Sequence, residues 1–380
     1  MTSQSSAPQV TAGVLEQRVL RARAAMERHG VDVLLLSLGA DLPYLTGYEA
    51  MPLERLTMLV VPRHGTATLV VPGLEAPRVV EHPSVFSLRP WSETEDPVAI
   101  VASLVRSAGG GKGVSAIGNR TWAQFLVALQ DELPGQRFVT ASSVIGELRA
   151  TKDAAEIEAL QRAASAVDRI AAQLHRGEIA LVGRTEAQVS ADLSARIIAE
   201  GHDVVNFAIV AAGENAASPH HEPSSRVIRH GELVLCDFGG TMAGYCSDIT
   251  RCVHIGEPPT EVAEAYAVLL EAQQAAVRGA LIGVPCEEVD AIARRIISDA
   301  GYGDRFFHRT GHGIGMEAHE DPYLVSGNSE PLKAGHAFSI EPGIYTAGRW
   351  GMRLEDIVVA TDDGPLAVNT VDHRLVVVDA

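Results

Sequence analysis

Glu232-Leu-Val-Leu-Cys-Asp-Phe-Gly-Gly240 reads as a strand whose apolar run ends on a carboxylate, Asp237. The same conflict recurs downstream. Asp248 lies between Cys246 and Ile249 in Tyr245-Cys-Ser-Asp-Ile-Thr-Arg251, and Glu341 follows Phe338 and Ile340 in Ala337-Phe-Ser-Ile-Glu-Pro-Gly-Ile-Tyr345. Glu355 precedes a β-branched run in Met352-Arg-Leu-Glu-Asp-Ile-Val-Val359. An unpaired carboxylate in such a setting costs several kcal/mol or takes up a proton. Four of them in one domain call for a shared cation.

His312, in Arg309-Thr-Gly-His-Gly-Ile-Gly315, is the fifth member. The glycines beside it let the backbone come close to something, and a neutral imidazole is a good ligand for manganese, cobalt, iron or zinc. One histidine with four carboxylates makes a mainly oxygen site, suited to hard or borderline divalent ions. A carboxylate can bridge two metals about 3.5–4 Å apart, as two-metal hydrolases require. Each residue has an ordinary alternative. Asp237 could cap a turn before Gly239-Gly240, Asp248 could pair with Arg251, Glu355 could pair with Arg353, and Gly311-His312-Gly313 could be only a tight loop. Taken together, the alternatives need five separate coincidences.

Working outward, the second half carries helical patterns between strand-rich segments. Asp153 and Glu156 have capping-box spacing, and a helix runs from there to His175, with Leu160, Ala163, Ala164 and Val167 along one face. Further helices are expected at 185–200, 261–280 and 286–300. The first half alternates: helix 14–29, strands 31–37, 56–61 and 66–71, helix 97–106, strand 114–117, helix 121–132 and strand 137–140. Alternation of this kind indicates an α/β domain with helices packed on a sheet. The boundary falls at residues 145–151, giving a loose tail at 1–13, an N-terminal α/β domain at 14–148 and a second domain at 149–380.

The chain has 380 residues and a formal net charge of −17. So acidic a surface repels phosphate backbones, which argues against nucleic acid as a partner. Cys236, Cys246, Cys252 and Cys286 form no CxxC pair, so they read as small buried hydrophobes rather than as a zinc knuckle or a disulfide framework. No signal-like segment opens the sequence and no apolar run is long enough to cross a bilayer, so a cytoplasmic protein with no membrane contact is expected.

The ordered series Asp237, Asp248, His312, Glu341, Glu355 resembles the methionine aminopeptidase, prolidase and aminopeptidase P superfamily. The likeness is carried by Asp237-Phe-Gly-Gly, Ser247-Asp-Ile-Thr-Arg, His308-Arg-Thr-Gly-His-Gly-Ile-Gly, Ser339-Ile-Glu-Pro-Gly-Ile-Tyr and Leu354-Glu-Asp. The Arg353-Leu-Glu355 segment and the additional N-terminal domain are similar to the prolidase and aminopeptidase P branch. The resemblance implies an α/β N-terminal domain of the creatinase/prolidase type and an α+β "pita-bread" catalytic domain. It implies two divalent metal ions, manganese first, with cobalt, zinc and iron as alternatives. Asp237 would chelate one metal, Asp248 and Glu355 would bridge the pair, and His312 and Glu341 would complete the other.

The implied reaction is hydrolysis of an Xaa-Pro bond in a small peptide with proline in second position, by a homodimeric dipeptidase or aminopeptidase. A water activated between the metals would attack the scissile carbonyl, and Glu341 would move its proton. His220, in Ser218-Pro-His-His-Glu222, and His319, in Glu317-Ala-His-Glu320, fall where the family has substrate-facing histidines, while His221 has no role by this likeness. Arg353 would orient a bridging carboxylate. A dipeptidase also needs a cation for the substrate's carboxylate. Arg55, in Tyr48-Glu-Ala-Met-Pro-Leu-Glu-Arg55, is the candidate, reaching across a dimer, against the ordinary reading of an exposed loop arginine. Two other readings share the fold: a creatinase-like or ectoine-type amidohydrolase, and a non-catalytic binding module.

Overall fold

The structure, a computed structural model, describes residues 11–109 and 111–379. The described chain forms two compact units, divided between Arg149 and Ala150. In the first unit, six strands form one sheet: β1 (Val33–Leu36), β2 (Met58–Pro62), β3 (Ala67–Pro72), β4 (Phe86–Trp91), β5 (Val114–Ile117) and β6 (Arg137–Thr140), in the order β4-β3-β2-β1-β5-β6. The helices are α1 (Ala12–Arg28), α2 (Asp41–Thr46), α3 (Pro97–Gly109), α4 (Ala123–Glu132) and α5 (Ile145–Ala150), the last ending at the boundary. Every residue of β1 is buried, as in a strand covered on both faces. Val33, Leu35, Met58, Val60 and Val70 pack against Val101, Ala102 and Val105 of α3 and Leu129 of α4.

The sequence expectations for this unit miss α2, β4 and α5 and differ at several boundaries, with β1 starting at Val33 rather than Val31 and α3 ending at Gly109 rather than Arg106. Helix α1 starts at Ala12 rather than Val14, while residues 1–10 of the expected tail lie outside the described residues. Strand β4 contains Arg89 and Pro90, which obscure its pattern. It sits at the sheet edge, where a missing N–H costs no ladder bond. The short α2 is too brief to show a helical period.

In the second unit, α6 (Ala154–His175) begins with the expected capping box: the Asp153 side chain accepts from Glu156 N, and Glu156 returns the bond to Asp153 N. Thr185 and Gln188 repeat the device at α7 (Glu186–Ala199). One sheet holds β7 (Val204–Ala212), β8 (Leu233–Met242), β9 (Tyr245–Cys246), β10 (Ile249–Ile255) and, far along the chain, β18 (Val376–Val378), in the order β18-β10-β8-β7 with β9 beside β8. Helices α8 (Thr260–Gly279) and α9 (Cys286–Asp299) follow. The second sheet holds β11 (Gly311–Gly313), β12 (Glu320–Leu324), β13 (Ala337–Ile340), β16 (Asp356–Thr361) and β17 (Gly364–Ala367), in the order β12-β11-β13-β16-β17. A hairpin of β14 (Gly343–Thr346) and β15 (Trp350–Arg353) stands apart.

The period-2 rule places the site. On β8 and β10, Val234, Cys236, Phe238, Ile249 and Val253 pack with α6 and α7, whereas Leu233, Leu235 and Cys252 join the cluster built on α8 and α9. Asp237 continues the Leu233–Leu235 face, and Asp248 and Thr250 continue that of Cys252. Phe338, Ile340 and Val358 of the second sheet join the α8–α9 cluster, while Ala337, Ile357 and Val359 face the other way. Glu341 and Glu355 extend this second face. All four cysteines are buried and free. Among the described residues, no helix is long and apolar enough to cross a membrane.

Candidate metal centre and active site

Asp237, Asp248, His312, Glu341 and Glu355 line one cleft of about 770 Å³, together with His220, His319 and Arg353. They come from β8, the approach to β10, β11, the end of β13 and the approach to β16. Register brings the first sheet's members together: Thr250 pairs with Asp237 across β8–β10, and a bridge joins Thr250 to Glu355.

The local alternatives for these residues do not occur. Arg251 pairs with Asp356, at 2.7 Å, and not with Asp248. Arg353 pairs with Asp237, and not with Glu355. The glycines flanking His312 make room for neighbouring strands rather than for a ligand. A Cβ on Gly311 would lie 1.9 Å from Ser339 O, and one on Gly313 would lie 2.2 Å from Asp321 O.

Hydrogen bonds set the state of His312. Its Nδ1 lies 3.1 Å from Gly313 O, so Nδ1 carries the proton. The Nε2 lone pair then faces Glu341 Oε1 at 3.4 Å and Asp248 Oδ2 at 3.9 Å. Burial, with His319 close by, pushes its pKa down to about 3, which keeps the ring neutral. The His319 ring lies against it, with centroids 3.8 Å apart.

The carboxylates are under the opposite stress. Burial pushes the Asp248 and Glu355 pKa values well up, and each is raised further by the other carboxylates of the cleft. Burial also raises Glu341, to about 7, against the pull of Arg353. The Oδ1 atoms of Asp237 and Asp248 are buried without a hydrogen-bond partner. Asp248, His312 and Glu355 each offer a ligand atom within 4.8 Å of the others. Orphaned carboxylate oxygens, raised carboxylate pKa values and an imidazole with its lone pair turned inward together fit divalent cations.

A chain of polar groups backs the cleft. Arg353 Nη2 donates to Asp237 Oδ2, Nη1 to Tyr345 Oη at 2.9 Å, and Nε to Thr250 Oγ1 at 3.2 Å. Thr250 in turn donates to Glu355 Oε2 at 2.6 Å. Arg353 therefore holds Asp237 directly and reaches Glu355, the expected bridging carboxylate, through Thr250. His308 Nδ1 donates to Arg309 O at 2.7 Å, leaving Nε2 to accept from Tyr345 O–H at 2.9 Å. Burial and Arg353 lower the His308 pKa to about 4.

Sequence reasoning assigned no role to His308, Tyr345 or Thr250. The nearest signal for His308 was its place four residues before His312. Arg55 is not among the residues lining the cleft. It lies in the first unit, with Nε 2.9 Å from Glu93 Oε1 and Nη1 2.9 Å from Glu54 Oε1. His221 points to Glu186, with its Nε2 at 2.8 Å from Oε2.

Two facing sheets with a carboxylate-rich, histidine-containing cleft define a metal-dependent hydrolase. Residues 157–362 match metallopeptidase family M24, and residues 18–151 match the creatinase/prolidase N-terminal domain. The chain belongs to metallopeptidase family M24 and is a peptidase of its prolidase and aminopeptidase P branch, with the pita-bread catalytic fold. It is 43% identical over 371 residues to the probable dipeptidase PepE of Mycobacterium tuberculosis, covering 97% of each chain. It is 38% identical over 347 residues to the Xaa-Pro dipeptidase of Lactobacillus helveticus, covering 88% of this chain and 91% of that one. The solved structure of a recombinant prolidase from Thermococcus sibiricus superposes with a TM-score of 0.90 at 37% identity, covering 96% of this chain and 99% of that one.

Proposed function

We propose that the chain hydrolyses Xaa-Pro dipeptides with two divalent metal ions, manganese first. The observation that carries this reading is the convergence of five ligand-type side chains with His220, His319 and Arg353 on one cleft. Asp237, Asp248, His312, Glu341 and Glu355 would hold the metals. The bound metals would supply an activated water and polarise the scissile carbonyl.

The protein's own groups do the rest. Glu341, at the wall of the cleft, would accept a proton at a carboxylate oxygen and return it to the leaving nitrogen. His220 and His319 face the cleft as donors to the carbonyl oxygen as it gains charge. Arg353 fixes the rotamer of Asp237. Proline's nitrogen has no N–H, so recognition through the free α-amine and the carbonyl suits this substrate, and the acidic cleft favours a cationic amine. Residues 149–380 form the catalytic domain and residues 14–148 the accessory one. The protein works as a cytoplasmic homodimer, a setting its four free thiols favour. Arg55 would meet the substrate carboxylate from the partner subunit.

The test is hydrolysis of an Xaa-Pro dipeptide beside an Xaa-Pro-Yaa tripeptide, by enzyme stripped with chelator and reloaded with manganese, cobalt or zinc. Metal-dependent cleavage with the dipeptide faster is expected. No cleavage of either by loaded protein would overturn the reading.

A further inference from the structure

Glu186, the first residue of α7, is completely buried. A charged side chain at that depth needs partners, and this one has gathered them from a single stretch of chain. Its Oε1 accepts from Ala212 N at 2.9 Å and Asn215 Nδ2 at 3.0 Å. Its Oε2 accepts from His221 Nε2 at 2.8 Å, Ser224 N at 3.1 Å and Ser224 Oγ at 2.7 Å. The donors lie at both ends of one loop, so a single carboxylate closes that loop like a clasp.

The middle of the loop is Ser218, Pro219 and His220, all of which line the cleft. Pro219 O also accepts from Arg353 Nη1 at 3.3 Å. Farther back, the loop rests against the β14–β15 hairpin so closely that a Cβ on Gly351 would lie 2.0 Å from Ala216 O. His221 and His220 are chain neighbours with different tasks: one ring is tied down, the other stands in the cleft.

We propose that Glu186 is the positioning residue for His220, and that His221 is the clamp through which it acts. This rests on the substrate reading above only for its kinetic readout. Every partner of Glu186 is a donor, so an amide cannot replace the carboxylate: whichever way the Gln is turned, its NH2 meets an N–H or O–H. Removing His221 frees the residue next to His220 without opening the metal cleft.

The experiment compares Glu186→Gln, His221→Ala and His221→Gln, each alone and on a His220→Ala background, by kcat and KM on an Xaa-Pro dipeptide, by metal content and by amide hydrogen exchange. Glu186→Gln and His221→Ala are expected to lower kcat by roughly 10- to 100-fold, the scale of loss when a residue that orients a metal-site side chain is removed. Metal content should stay at the wild-type level. His221→Gln, which can still donate to Glu186, should recover most of the loss. On the His220→Ala background neither substitution should lower activity further. Exchange over residues 213–224 should rise in Glu186→Gln and His221→Ala while β8 stays protected.

Losses that multiply with His220→Ala, or that follow loss of metal, would overturn the proposal. If Glu186→Gln does not fold, the His221 pair decides the question. A wild-type protein inert toward Xaa-Pro peptides would sink the substrate reading instead. The exchange comparison would still be read, and unchanged exchange over 213–224 would overturn the clamp.

Discussion

Arg251 offers the sharpest test of how the cleft is supported. Its side chain is fully buried, and Nη2 pairs with Asp356 Oδ1 at 2.7 Å, itself 2% exposed. The guanidinium also donates to Thr250 O, Glu355 O, Val371 O and Asp372 O. Burial pushes the Asp356 carboxyl up, but Arg251 and His373 outweigh it and hold the pKa below its ordinary value. Arg251→Met keeps the apolar stem and leaves Asp356 with only Gln273 and His373 as partners.

Breaking one side of a buried pair costs about 3–5 kcal/mol. For a catalytic unit of this size that lowers the melting temperature by roughly 6–20 °C. Because Glu355 O loses its donor, metal affinity should also fall, by about 10- to 100-fold. Calorimetric melts of metal-loaded and stripped protein measure the first effect, and metal titration the second. The double variant Arg251→Met, Asp356→Asn removes the stranded charge and should be more stable than Arg251→Met alone. A single variant within about 1 kcal/mol of wild type, or a double variant no better than the single, would refute the assignment of stability to this pair.

Stripped of metal, the protein should lose stability as pH rises. The folded Glu341 pKa of about 7 lies above its ordinary 4.5. The folded state therefore binds more protons than the unfolded chain between these values, and the contribution is full below 4.5 and gone above about 7. Glu341→Gln should flatten that part of the melting-temperature profile, and an unchanged slope would count against it. Gly311→Ala sets a methyl against Ser339 O and should give protein with little bound metal, checked by melting and metal analysis. Arg55→Ala should raise KM for Xaa-Pro dipeptides while leaving KM for the corresponding prolinamides alone. An unchanged dipeptide KM would remove Arg55 from the site.

The candidate metal ligands stand out in the sequence because each breaks a local rule, a carboxylate in a strand or a histidine between glycines. Their supporting residues break none. Thr250 and Tyr345 are ordinary strand residues, and the partner of Thr250, Glu355, is 105 positions away. The same distance misdirected the pairing of Arg251, for which local reading offered Asp248 and the fold supplies Asp356. Glu186 was hidden for another reason, since an acidic residue in a helix's first turn is already accounted for by the helix dipole. Strands rich in Val and Leu announced themselves in the first half, but β4, with its proline, did so only through the sheet it completes.

The separation of these partners imposes an order of events on a chain made from its N-terminal side. The first unit finds every strand partner of its sheet between residues 33 and 140, so its sheet can close early in synthesis. Glu355 O meets Arg251 Nη1 across 104 positions, and β18, which begins at Val376, is the last strand to enter the first sheet of the catalytic unit. Until His312, Glu341 and Glu355 have been made, Asp237 and Asp248 stand on an unfinished sheet without their counterparts in the cleft. The candidate centre, whose ligand-type side chains span residues 237 to 355, is therefore assembled only once synthesis has passed Glu355.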